Sequence, residues 1–277
     1  MNDFMCSKVN ELSIMRHEIS RSIHEMLSYV KKGNDIGYSE RILKSHYQIH
    51  QHGIYNNLKI SMISKITFAF LNAVKENNNL EWMNKNRDLY KMERDNFFDF
   101  AKKLIEATKK IDKSLGELSV KDCTFRFNKD IRFTKDKSPY KTNFWVIIRE
   151  EGKHGVGAGY YVHIQPGECF IWWGMYMPPA PTLRRVRTYI AKNYKQLQKI
   201  ISTPAFKKTF DTLQWDTLVN IPRWFDKNHK AGELFKMKSF FVGHNLSDKK
   251  VLQEDFIAYC IWVFKVMKPL NDFLNKA

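Results

Sequence analysis

The chain has 277 residues and a formal net charge of +17, from 46 Lys and Arg against 29 Asp and Glu. Its 43% hydrophobic and 14% aromatic content supplies a core, which excludes a disordered, collagen-like or low-complexity protein. The longest apolar run, Phe256–Phe264, has about half the length of a membrane-spanning helix.

The first residues, MNDFMCSKVNELS, carry an early Asp and no apolar stretch, so they do not read as a secretory signal. Cys6, Cys123, Cys169 and Cys260 are far apart and form no C-x-x-C pair. Zinc ribbons and redox pairs are disfavoured, and reduced buried thiols in a cytoplasmic protein are expected. Residues 1–61 hold eight Lys and Arg against six Asp and Glu, so about +15 of the charge lies beyond them. Such a surface attracts anionic partners, although lysines on solvated faces account for it equally well.

In chain order, residues 7–32 have Val9, Leu12, Ile19, Ile23, Met26, Leu27 and Val30 at helical spacing, and a second helix is expected over 38–51. Residues 1–61 hold five of the nine histidines. His46 and His50 stand one turn apart, a spacing that binds metals, but no Cys or carboxylate joins them and surface histidines are expected. Residues 1–61 read as a helical extension, with Met62 an alternative start, and 62–277 as a single domain.

Two helices are expected over 64–77 and 84–110, separated by Asn77-Asn78-Asn79. Residues 122–127 alternate, with Cys123, Phe125 and Phe127 on one face and Thr124 and Arg126 on the other, which predicts a half-buried strand. Strands are also expected at 143–149, 158–164 and 169–176, the last two joined by the turn Gln165-Pro166-Gly167-Glu168. Pro178, Pro179 and Pro181 end that run. Helices follow at 182–200, 204–213, near 230–235 and at 248–266. Helices, then strands, then helices predict an α+β fold with an antiparallel sheet flanked by helices.

The densest polar stretch runs from Arg126 to Lys141, with six cations, two carboxylates and a phenol. Neighbouring arginines repel unless a carboxylate or bound anion lies between them, and guanidinium forks hold phosphate or carboxylate in two-point geometry. Arg126, Arg132, Lys137 and Lys141 are therefore candidate anion-binding residues, with Asp130 orienting an arginine and Tyr140 donating a hydrogen bond. The alternative is an ion-pair network in which Asp130 and Asp136 only pin the loop.

The run RFNKDIRFTKDKSPYKTN, residues 126–143, resembles the signature of a bacterial family, domain of unknown function 2461. Its pattern R-x-x-R-D-x-R-F, followed by K-x-x-Y, falls on Arg126, Asp130, Arg132, Phe133, Lys137 and Tyr140. Its second Arg is Lys129 here, which keeps the charge and loses the planar fork. The stretches at 80–90, 158–170, 221–240 and the C-terminus also resemble the family, so the likeness spans about residues 63–276. Where the family has Gly and Pro this chain has Trp224 and Lys230. Trp172 and Trp173 stand where small residues are common. The resemblance implies membership and leaves the activity open.

Tyr161 and His163 share one strand face, opposite Tyr160, Val162 and Ile164. His163 and Tyr140 are the candidate proton donors should the protein be an enzyme; a lone strand histidine is otherwise a hydrogen-bonded structural residue. His229, Lys236 and Lys238 are candidates to line the same cleft, and Trp172, Trp173 and Tyr176 to stack on bases. Packing of one Trp in the core and the other on a helix explains the pair as well. Nucleotide-hydrolase, zinc-protease and serine-hydrolase motifs do not occur, and no cofactor or metal is expected. The expected function is binding, or turnover, of a small anionic ligand. A nucleic-acid-binding module and an interaction protein with an internal charge network are the alternatives. No membrane partner is expected.

Overall fold

The computed structural model describes residues 63–210 and 217–277. The helices expected at 7–32 and 38–51, with His46 and His50, lie outside the described residues. One unit, Ser61–Lys85 with Arg94–Ala277, holds the whole sheet, whereas Asn86–Glu93 belongs to the other unit.

Helix α1, Lys65–Glu76, opens on a capping box in which the Ser64 and Thr67 side chains each accept from the other's backbone N–H. It buries Ile66, Phe68, Phe70, Leu71 and Val74. Helices α2, Leu80–Lys85, and α3, Arg87–Ile111, divide the single helix expected over 84–110. Residues 122–127 depart from expectation. Val120–Cys123 form one helical turn, α4, because Ser119 and Asp122 close a second capping box, and this local bonding overrides the alternation. Thr124 and Asn128 then form only isolated bridges, to Val146 and Tyr140.

Strands β1 (Phe144–Ile148), β2 (Gly159–Ile164), β3 (Cys169–Met175) and β4 (Phe240–Leu246) form an antiparallel meander in that order. The β2–β3 turn closes through Glu168 N–H to Gln165 O at 2.9 Å, with Gly167 at φ +79°. Between β3 and β4 lie α5 (Ala180–Ile201), α6 (Pro204–Thr209) and α7 (Gly232–Lys236). The helix expected over 204–213 ends at Thr209, where the chain turns extended at Phe210. The segment expected as one helix from 248 to 266 is α8, Asp248–Val251, and then α9, Phe256–Asn275. Helix α9 continues through Pro269, which lacks a backbone donor; burial of Leu270, Phe273 and Leu274 beyond it offsets the lost bond.

The sheet has two unlike faces. Phe144, Val146 and Ile148, with their cross-strand partners Ile164, Val162 and Tyr160, point into the core, as do Ile171, Trp173 and Val242. Helical aromatics pack there: Phe97 stacks on Phe144 at 4.9 Å, Phe264 meets Tyr160 at 4.6 Å, and Phe210 meets Trp173 edge-on at 4.1 Å. The other face carries Trp145, Tyr161, His163, Phe170, Trp172 and Phe241.

Candidate functional site

Residues 127–141 form a short arm. Lys141 N–H donates to Phe127 O and Lys129 N–H to Pro139 O, each at 2.9 Å. Its base is fastened from α1's end, since Asn78 donates to the Tyr140 carbonyl and accepts from the Tyr140 N–H, both at 2.9 Å. Tyr140 itself is buried, its ring 6.1 Å from Phe127.

The loop beyond is ordered by its own charges. Asp136 accepts from the Ser138 N–H and hydroxyl and from Lys129 Nζ, each at 2.8 Å. Asp130 takes Arg132 in a fork, Nε–Oδ1 2.9 Å and Nη2–Oδ2 2.7 Å. Lys137 Nζ donates to the Ile131 carbonyl at 3.0 Å. The hydrogen bonds from Arg132 hold the Asp130 carboxyl below its ordinary range, and Lys129 and Ser138 do the same for Asp136. Arg132 nevertheless stands 73% exposed, its guanidinium over the ring of Phe133, which is 91% exposed. Both carboxylates of the motif are thus hydrogen-bonded to Arg132 and Lys129, and Asp130 also feels the charge of Arg126.

Lys141 Nζ donates to the Arg126 carbonyl at 2.7 Å and lies over the rings of Phe125 and Trp145, at 5.6 and 5.1 Å. Burial, and then repulsion from Arg126, lower its pKa. Among the described residues neither Lys141 nor Arg126 has a carboxylate within ion-pair distance. Phe125 and Phe127, expected on one strand face, separate: Phe127 enters the core and Phe125 tilts against Trp145 at 4.7 Å.

Lys141 stands at one end of the outer sheet face. From Trp145 the rings continue to Tyr161 (5.4 Å), Phe170 (5.9 Å from Tyr161) and Trp172 (4.3 Å from Phe170). Trp172 crosses to Gly243 on β4, where a Cβ would lie 2.9 Å from the indole nitrogen. Trp173 is in the core and Trp172 on this outer face, so the expectation of a Trp covering a helix is replaced by a Trp among strand aromatics. His163, 8% exposed, stacks on Phe170 with centroids 4.4 Å apart and planes 3° apart. Its Nδ1 is 3.3 Å from the Tyr161 hydroxyl and its Nε2 is 3.4 Å from Gln165 Oε1, an arrangement satisfied by the tautomer protonated on Nε2. Desolvation lowers the His163 pKa and raises that of Tyr161. Asn143 also donates to Gln165 Oε1, at 3.2 Å, while Asn143 Oδ1 and Trp145 Nε1 are buried without a hydrogen-bond partner.

The remaining candidates lie elsewhere. His229 accepts from the Ala231 N–H and packs on Phe235, and Lys236 pairs with Glu233. Phe125, Asn143, Trp145, Gln165 and Phe170 were not singled out from sequence. The alternation that placed Tyr161 and His163 outward places Trp145, Phe170 and Trp172 outward too, and reading the three strands side by side would have found them. Among the described residues no group of three or more His, Cys, Asp or Glu is placed to hold a metal, and no helix is long and apolar enough to cross a membrane.

A family model described as a conserved hypothetical protein, DUF2461, matches residues 66–273. The chain belongs to this family. The match takes in the arm, the loop and all four strands of the DUF2461 sheet, so motif and aromatic face are parts of one family domain. No curated protein and no solved structure matches the chain.

Proposed function

We propose that the protein binds a small phosphorylated or carboxylated ligand, with the anionic group held between Arg126 and Lys141. The observation that supports this is that Lys141, half-buried and repelled by Arg126, has no carboxylate within ion-pair distance among the described residues, and neither has Arg126. An internal network accounts for Asp130, Arg132, Lys129 and Asp136 and leaves Arg126, Lys135, Lys137 and Lys141 without an ion pair among the described residues, of which only Lys141 is half-buried. A half-buried cation repelled by its neighbour gains most from an anion, which opposes the lowering of the Lys141 pKa and adds charge-assisted hydrogen bonds. Arg132 and Lys137 contribute to the surrounding field, and Tyr140 anchors the arm.

The test is thermal denaturation of the full chain at fixed ionic strength with phosphate, pyrophosphate and citrate. Ligand at ~100 times its dissociation constant is expected to add about 2.7 kcal/mol. The shift should vanish in Lys141→Ala and survive in Arg132→Ala. An equal shift in both variants, or none in the parent, removes the proposal.

A further inference from the structure

The proposed anion site accounts for Arg126 and Lys141 and leaves the aromatic face beside them unexplained. We infer that the ligand is a nucleotide, its phosphate at Arg126 and Lys141 and its base stacked on the outer sheet face of Trp145, Tyr161, Phe170 and Trp172. This rests on the anion-binding reading above.

Three observations carry it. The rings are contiguous with the cations, since Lys141 Nζ lies 5.1 Å from the Trp145 ring and each ring in the row is within 6 Å of the next. They are half-buried instead of exposed or sealed, on the face opposite the one where Phe97, Phe210 and Phe264 pack. Phe170 is stacked on both His163 and Trp172, so these rings already form a column that a further planar group can extend. Half-burying aromatic or imidazole groups on the outer face gains less than burying them in the core, so the accumulation of six there points to a planar occupant. Charge complementarity selects an anionic one, because no carboxylate pairs with Arg126 or Lys141 among the described residues.

A base fits this face better than an apolar ring does. Asn143 Oδ1 and Trp145 Nε1, two residues apart on one strand face, are an acceptor and a donor that no protein group satisfies. Buried polar atoms of this kind signal a missing partner, and a base edge presents complementary donors and acceptors once the side chains over them shift. His163, kept neutral by desolvation, adds a stacking surface without competing for the anion charge.

The experiment titrates the full chain with adenosine monophosphate, pyrophosphate, ribose 5-phosphate, adenosine and a short single-stranded oligonucleotide, at one ionic strength, by calorimetry and tryptophan fluorescence. The nucleotide is expected to bind at least about tenfold more tightly than ribose 5-phosphate, the lower end of what base stacking supplies. Trp172→Leu keeps the face apolar and removes the flat indole; it should erase that advantage and leave pyrophosphate binding intact. Phe170→Leu provides the same test should Trp172→Leu fail to fold. Equal affinity for nucleotide and ribose 5-phosphate overturns the stacking inference while the anion site stands. Binding of neither phosphate compound overturns both. An oligonucleotide that outcompetes the mononucleotide, with affinity falling steeply as salt rises, overturns it in favour of a nucleic-acid surface.

Discussion

Lys141 is the residue on which the functional reading turns. Its ammonium is half-buried between two aromatic rings, and its pKa is lowered by desolvation and by Arg126. Anion binding requires the charged form, so affinity should fall as pH rises through a value below the ordinary 10.5 of a lysine. A titration of pyrophosphate affinity between pH 7 and 10 checks this, with Lys141→Arg expected to flatten the profile. His163 gives a second pH signature. Desolvation places its folded pKa below the unfolded 6.5, so the unfolded chain takes up a proton first on acidification. The stability it supports is complete above about pH 6.5 and is lost as pH falls through that value toward the folded pKa. Urea midpoints at pH 7.5 and 5.5 should therefore differ more in the parent than in His163→Gln. An equal difference would mean that other groups carry the acid sensitivity. The buried thiols of Cys123 and Cys169, pushed up to about 12 by burial, are not nucleophiles at neutral pH.

At the scale of elements, the arm and the sheet edge depend on a few contacts distant in sequence. Asn78 ties both backbone groups of Tyr140 across 62 residues. Asn78→Ala leaves them unpaired and is expected to cost about 1–3 kcal/mol in denaturant unfolding while weakening anion binding, because Lys141 sits one residue on. Gly174, at φ +106°, leaves no room for a methyl group, since a Cβ would lie 2.1 Å from the Phe240 carbonyl. Gly174→Ala is expected to destabilise by more than about 1 kcal/mol and to disturb β3–β4 pairing, measurable as loss of amide protection there. The turn at 165–168 and strands β1 to β3 were legible because period-two alternation and a Pro-Gly turn are local signals. Strand β4 was not: no element was expected between the helices near 230–235 and at 248–266, and Gly243 makes sense only once Trp172 is seen lying across it. Residues 122–127 show the converse, where a genuine alternation lost to two side-chain caps of one helical turn.

Over the whole molecule, the net charge of +17 and the motif gave the site its place in the sequence without its shape. The run 126–141 stood out because six cations crowd sixteen residues, yet sequence could not tell which of them were neutralised. Contact across the loop decides it: Asp130 and Asp136 take Arg132 and Lys129, and of the four cations left without an ion pair only Lys141 is half-buried. The aromatic face was hidden for the same reason, since its rings come from three strands whose alignment is a property of the sheet. A long-range cationic field attracts many anions weakly, so specific binding must differ from that background in its dependence on single residues. The most direct measurement is calorimetric titration of pyrophosphate into the full chain and its Lys141→Ala and Arg132→Ala variants at one ionic strength. Both variants lose the same formal charge. Loss of binding in Lys141→Ala with near-parental binding in Arg132→Ala is the predicted result, and equal weakening in the two would contradict the site in favour of the general field.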